Sequence, residues 1–79
     1  MAGLRDVFFD RGDYGRAAQY GERAVELAPR SASHRLRLGD AYYKVLRMTD
    51  ARTQYKKALR LGDERARWRL DKVAAALAK

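Results

Sequence analysis

The sequence has no cysteine, one proline, one histidine and no long apolar run. Each shortage excludes something. Without cysteine there is no disulfide, no thiolate metal site and no cysteine nucleophile. A single histidine, His34, rules out a His-rich metal cluster and a two-histidine relay. No apolar stretch approaches the roughly 20 residues that a membrane span needs. The first ten residues already hold Arg5, Asp6 and Asp10 and do not read as a signal peptide. Together these shortages predict a soluble, cytoplasmic protein with no cofactor. The 79 residues leave room for one domain with a modest core.

What is present is charge and helix formers. Eighteen Lys and Arg stand against ten Asp and Glu, a net charge of +8. The excess is uneven. Residues 1–29 hold four Arg and five acids, and residues 30–79 hold 14 basic and five acidic residues. Such asymmetry marks either a surface for an acidic partner or the solvated exterior of helices.

Ala, Leu, Arg, Lys, Glu and Gln dominate, and no strand-like alternation occurs. Periodicity and punctuation predict five helices, over about residues 2–11, 14–28, 32–46, 49–61 and 64–78. Gly12-Asp13 ends the first and Pro29 stops the second. Ser31 and Asp63 stand as N-caps of the third and fifth, and Gly62 closes the fourth. Connections this short make neighbouring helices antiparallel hairpins.

A shift of 34 residues then aligns the chain with itself. Leu4 meets Leu38, Asp6 meets Asp40, Phe8 meets Tyr42 and Phe9 meets Tyr43. Ala17 and Ala51, Ala24 and Ala58, and Leu27 and Leu61 follow in the same register. So do Ala32 and Ala66, Leu36 and Leu70, and Ala41 and Ala75. A 34-residue period of paired helices is the signature of the tetratricopeptide repeat. The chain resembles that family over nearly its whole length. Leu38-Gly39, Tyr42, Ala51, Tyr55 and Ala58 carry the pattern in the second copy. Leu4, Phe8, Ala17, Ala24 and Pro29 carry it in the first. Arg35 replaces the leading aromatic, Arg5 the small residue and Gly21 the later aromatic.

The resemblance implies an all-α fold, a short right-handed solenoid of antiparallel hairpins with about five helices. Residues 1–30 form a first repeat, 31–63 a second, and 64–79 a C-terminal capping helix. Small residues let helices approach, and the aromatics and leucines fill the remaining space. Two departures bear on the turns. Leu46 stands where the first copy has Gly12, and leucine is strained at positive φ. The sequence therefore predicts that the third helix ends differently from the first. Asp63 stands where the first copy has Pro29, so the last junction is capped rather than blocked.

Little in the sequence suits catalysis, and no enzyme is predicted. Ser33 and His34 are adjacent on one helix and cannot face each other as nucleophile and base. Gly12-Asp13-Tyr14-Gly15 is a turn without the strand and spacing of a phosphate cradle. Asp6 and Asp10 have no histidine beside them, so no metal site is read there.

The family generally binds peptide or protein segments along its concave face, and the resemblance implies the same here. Helix spacing and the 34-residue shift place Asp6, Phe9, Asp10, Arg37, Asp40, Tyr43, Lys44, Arg67 and Leu70 along that groove. Some family members clamp a C-terminal carboxylate there with Lys, Asn and Arg. Asp6 and Asp40 stand where asparagine is expected, which argues against such a clamp. It favours a ligand with Lys or Arg beside an apolar anchor. Alternatively, these acids only solubilise the surface or pair with nearby arginines.

Two further partners remain open. Arg52, Lys56 and Arg60 recur every four residues, and Arg65, Arg69 and Lys72 follow at spacings of four and three along the last helix. This basic face suits nucleic acid, with Trp68 as a stacking ring, or an acidic protein. No nucleic-acid motif accompanies it, so nucleic acid ranks behind a protein partner. Two hairpins and one helix also fall short of three repeats, which predicts a piece of a longer array or a homo-oligomer joined through its ends.

Overall fold

A computed structural model of the chain describes residues 7–78. Every regular element among them is an α-helix. Helix α1 is described over residues 7–10. It is followed by α2 (Tyr14–Leu27), α3 (Ala32–Lys44), α4 (Met48–Arg60) and α5 (Ala66–Leu77). Leu4, Arg5 and Asp6 lie outside the described residues. Among these elements the main packing is between chain neighbours: α2 on α3, α3 on α4 and α4 on α5.

Local chemistry explains the helix starts. The Asp13 carboxylate accepts from the Arg16 backbone N–H at 3.3 Å, and the Ser31 hydroxyl accepts from that of His34 at 3.3 Å. Both satisfy donors that the first turn leaves without a partner. Helix α4 starts without a side-chain cap, but Asp50 sits in its first turn, where the helix dipole favours a negative charge. The last helix starts later than the sequence predicts. Asp63 folds its carboxylate onto the Arg65 N–H at 3.1 Å, and residues 63–65 form a tight turn before α5 begins at Ala66. Asp63 therefore caps this turn, and α5 itself starts without a side-chain cap.

The endings carry the clearest correction. Leu46 does not end α3 differently: it adopts a φ of 66°, beside 80° at Gly12 and 99° at Gly62. The hydrogen bonds are the same in all three places. Gly12 N–H donates to Phe9 O at 3.0 Å and Asp13 N–H to Phe8 O at 2.8 Å. Leu46 donates to Tyr43 at 3.1 Å and Arg47 to Tyr42 at 2.9 Å. Gly62 donates to Leu59 at 2.9 Å and Asp63 to Ala58 at 3.0 Å. This paired bonding around a left-handed residue is the Schellman ending. The bonds it forms outweigh the side-chain strain at Leu46. Where Pro29 follows, α2 ends without it, and Ala28 keeps a φ of −139°.

The core is built mainly from alanine. Ala17, Ala18, Ala24, Ala41, Ala51, Ala58 and Ala66 are buried, with Leu36, Leu38, Tyr42, Tyr55 and Val73 as the larger members. Each buried alanine removes little apolar surface, so the five larger side chains supply most of the burial energy. Gly39 shows how tight the packing is. A Cβ there would lie 2.6 Å from Cε1 of Tyr55 and 2.8 Å from its Cδ1.

Candidate functional site

Side chains from four helices surround one half-open depression. Phe9 comes from α1, Asp40, Tyr43 and Lys44 from α3, Tyr55 from α4, and Trp68, Arg69 and Lys72 from α5. Its volume is about 160 Å³. Phe9 meets Tyr14 edge-on, with ring centres 5.1 Å apart, which braces the first wall. The Lys44 ammonium lies 5.8 Å from the centre of the Tyr14 ring. The Lys72 ammonium lies 4.8 Å from the ring centre of Tyr43 and 5.3 Å from that of Trp68. These are cation–π distances, and they hold the cation at the aromatic wall.

Asp40 forms the floor and is already engaged. Its carboxylate accepts from the Tyr55 hydroxyl at 2.5 Å and from Arg69 Nε at 2.9 Å. Arg69 Nη2 approaches the second oxygen at 3.4 Å. One carboxylate therefore ties together α3, α4 and α5. Burial and the bond to Asp40 both push the Tyr55 phenol above its ordinary range. Above Arg69, the face of Trp68 lies 4.6 Å from the guanidinium carbon.

No protein-family model matches the chain, and no curated protein does. The site is therefore read from its own geometry.

Of the groove residues predicted from sequence, Phe9, Asp40, Tyr43 and Lys44 meet in this depression. Asp6 lies outside the described residues. Asp10 and Arg37 are exposed and do not line it. Arg67 is exposed and pairs with Glu64, while Leu70 packs against the core. The depression takes residues 68, 69 and 72 of α5 instead of 67 and 70, because Ala66 and Val73 set the buried face of that helix. Counting 34 residues forward leads to Arg67 and Leu70, which do not line the depression.

The predicted basic face divides as well. Arg52, Lys56 and Arg60 are exposed on α4, and Arg65 is exposed but pairs with Asp63 at 2.7 Å. Arg69 is half-buried and Lys72 is exposed, and both border the depression. Sequence reasoning does not place Tyr55 and Trp68 with the other residues of this depression. Tyr55 was read as core, and its ring is indeed buried, but its hydroxyl reaches the floor through Asp40. Trp68, the only tryptophan and 53% exposed, was signalled by its type: a large exposed ring on a highly charged helix.

A second aromatic pair lies away from this depression. Phe8 and Tyr20 stack with ring centres 5.3 Å apart, flanked by Arg16 and Arg23. Among the described residues, no three His, Asp or Glu side chains gather as metal ligands would. No helix there is long and apolar enough to cross a membrane.

Proposed function

We propose that the chain is a protein-interaction module of the tetratricopeptide type, with no catalytic role. Stacked helix hairpins present the depression between α1, α3 and α5, and it seats a peptide or protein segment. The observation that carries this is the convergence of Phe9, Tyr43 and Trp68, from three helices, on one half-open hollow. Phe9 and Tyr43 stand at equivalent positions of the 34-residue period. Short turns and packing between chain neighbours also support stacked hairpins. The volume falls below the roughly 300 Å³ typical of small-molecule sites. It suits one or two side chains of a segment lying across the surface.

A pull-down comparing the wild type with a Tyr43→Ser/Trp68→Ala variant tests this. Neither residue is fully buried, so the variant should keep its helical circular dichroism. Partners present with the wild type and lost with the variant are the expected result. An unchanged set would move attention to Arg52, Lys56 and Arg60 on α4.

A further inference from the structure

We infer that the segment seated in the depression is acidic, with Asp or Glu side chains alternating with apolar ones. This rests on the reading of the depression as a peptide groove and adds the chemistry of the ligand. It reverses the ligand that the sequence suggested, which was a cation attracted to Asp40.

The reversal follows from where the charges lie. Asp40 is spent on Tyr55 and Arg69, and that pairing also neutralises Arg69. The place over Tyr43 and Trp68 that a ligand's ammonium would take holds the chain's own Lys72. Two ammonium groups remain, Lys44 and Lys72. Among the described residues neither has a carboxylate within ion-pair distance, and their neighbours are rings. A ligand carboxylate gains a charge-assisted bond there, whereas a ligand cation meets two like charges. The open aromatic surface of Phe9, Tyr43 and Trp68 accepts an apolar side chain beside it. A second copy of this chain is a poor occupant, because it brings its own charge of +8.

Trp68 supplies the test, since its emission reports on the depression alone. Three ten-residue peptides, acetylated and amidated to remove terminal charges, alternate Leu with Glu, Gln or Lys. A twelve-residue oligothymidylate forms a fourth arm. The Glu peptide should bind at least tenfold more tightly than the Gln peptide, and the Lys peptide should leave the emission unchanged. Lys72→Ala should weaken the Glu peptide about tenfold, as the loss of a charge-assisted contact implies. Arg52→Ala removes the same charge outside the depression, and an equal loss there would overturn the site. Preference for the Lys peptide would overturn the acidic ligand while leaving the groove in place. No response to any peptide would overturn both. Tighter binding of the oligothymidylate than of the Glu peptide would replace the protein partner with single-stranded nucleic acid.

Discussion

Leu46 combines two disfavoured states: a left-handed backbone and 78% exposure of an apolar side chain. The side chain gains little from packing, so only the backbone bonds of the helix ending offset the strain. The left-handed conformation costs a residue with a Cβ about 1–2 kcal/mol. Glycine gives back part of that through the greater freedom of its unfolded chain. Leu46→Gly should therefore stabilise the fold by about 0.5–1 kcal/mol in urea denaturation. Leu46→Ala keeps the strain and should gain nothing, and equal gains from both would refute a backbone cause. Gly39 is the opposite case. It sits inside α3, where alanine gains up to about 1 kcal/mol in helix propensity. The Tyr55 ring lies within 2.8 Å of the new Cβ, however, and displacing it costs about 1–3 kcal/mol. Gly39→Ala should destabilise, and Gly39→Ala combined with Tyr55→Leu should cost less than the sum of the two. The repeat register marks both positions, since it sets Gly39 in the family pattern and aligns Leu46 with Gly12. Glycine advertises a left-handed turn, whereas leucine argues against one, so the conformation at Leu46 shows only in the backbone.

Between elements, tyrosine hydroxyls do much of the fastening. Tyr42 on α3 donates to Glu22 on α2 at 2.5 Å, as Tyr55 on α4 donates to Asp40 on α3. Burial first, and then the carboxylate partner, raise both phenols above the ordinary value near 10. A raised value means that the folded state holds the proton more tightly. The stabilisation is complete below about pH 10 and is lost as pH rises from there toward the folded-state value. The melting temperature should therefore fall between pH 9 and 11. Tyr55→Phe should start lower, by about 1 kcal/mol, and then lose less over that interval. Parallel losses in wild type and variant would show that the alkaline sensitivity lies elsewhere. The positions of α2 to α5 are legible in the sequence to within a residue or two, because the apolar spacing and the caps are local. The partners of Asp40 are not. Arg69 lies 29 residues away on another helix, and periodicity assigns a face without naming what meets it. Only the open alternative that the acids pair with arginines anticipated it.

Across the whole molecule, stability should be graded along the chain. Helices α3 and α4 each have a packed neighbour on both sides, whereas α5 packs chiefly on α4. Its buried contribution is Ala66 and Val73, with Leu70 partly covered, and the Arg69–Asp40 pair adds a polar tie. In the stack proposed above each unit is stabilised mainly through its interfaces, so an end opens before the middle. Amide hydrogen exchange should be slowest in α3 and α4 and faster in α5. Val73→Ala deletes two methyl groups at a fully buried site and should cost about 1–3 kcal/mol. The extra exchange should appear first in α5, whose opening leaves the α2–α3 and α3–α4 contacts intact. The alanine-rich core sets how far the damage spreads. With so few large buried side chains, α4 loses one of its two packed neighbours once α5 opens, and it should be the next helix to lose protection. Equal acceleration in all helices would mean that the chain unfolds as one cooperative block. That outcome would count against the stacked-hairpin architecture as well as against the gradient.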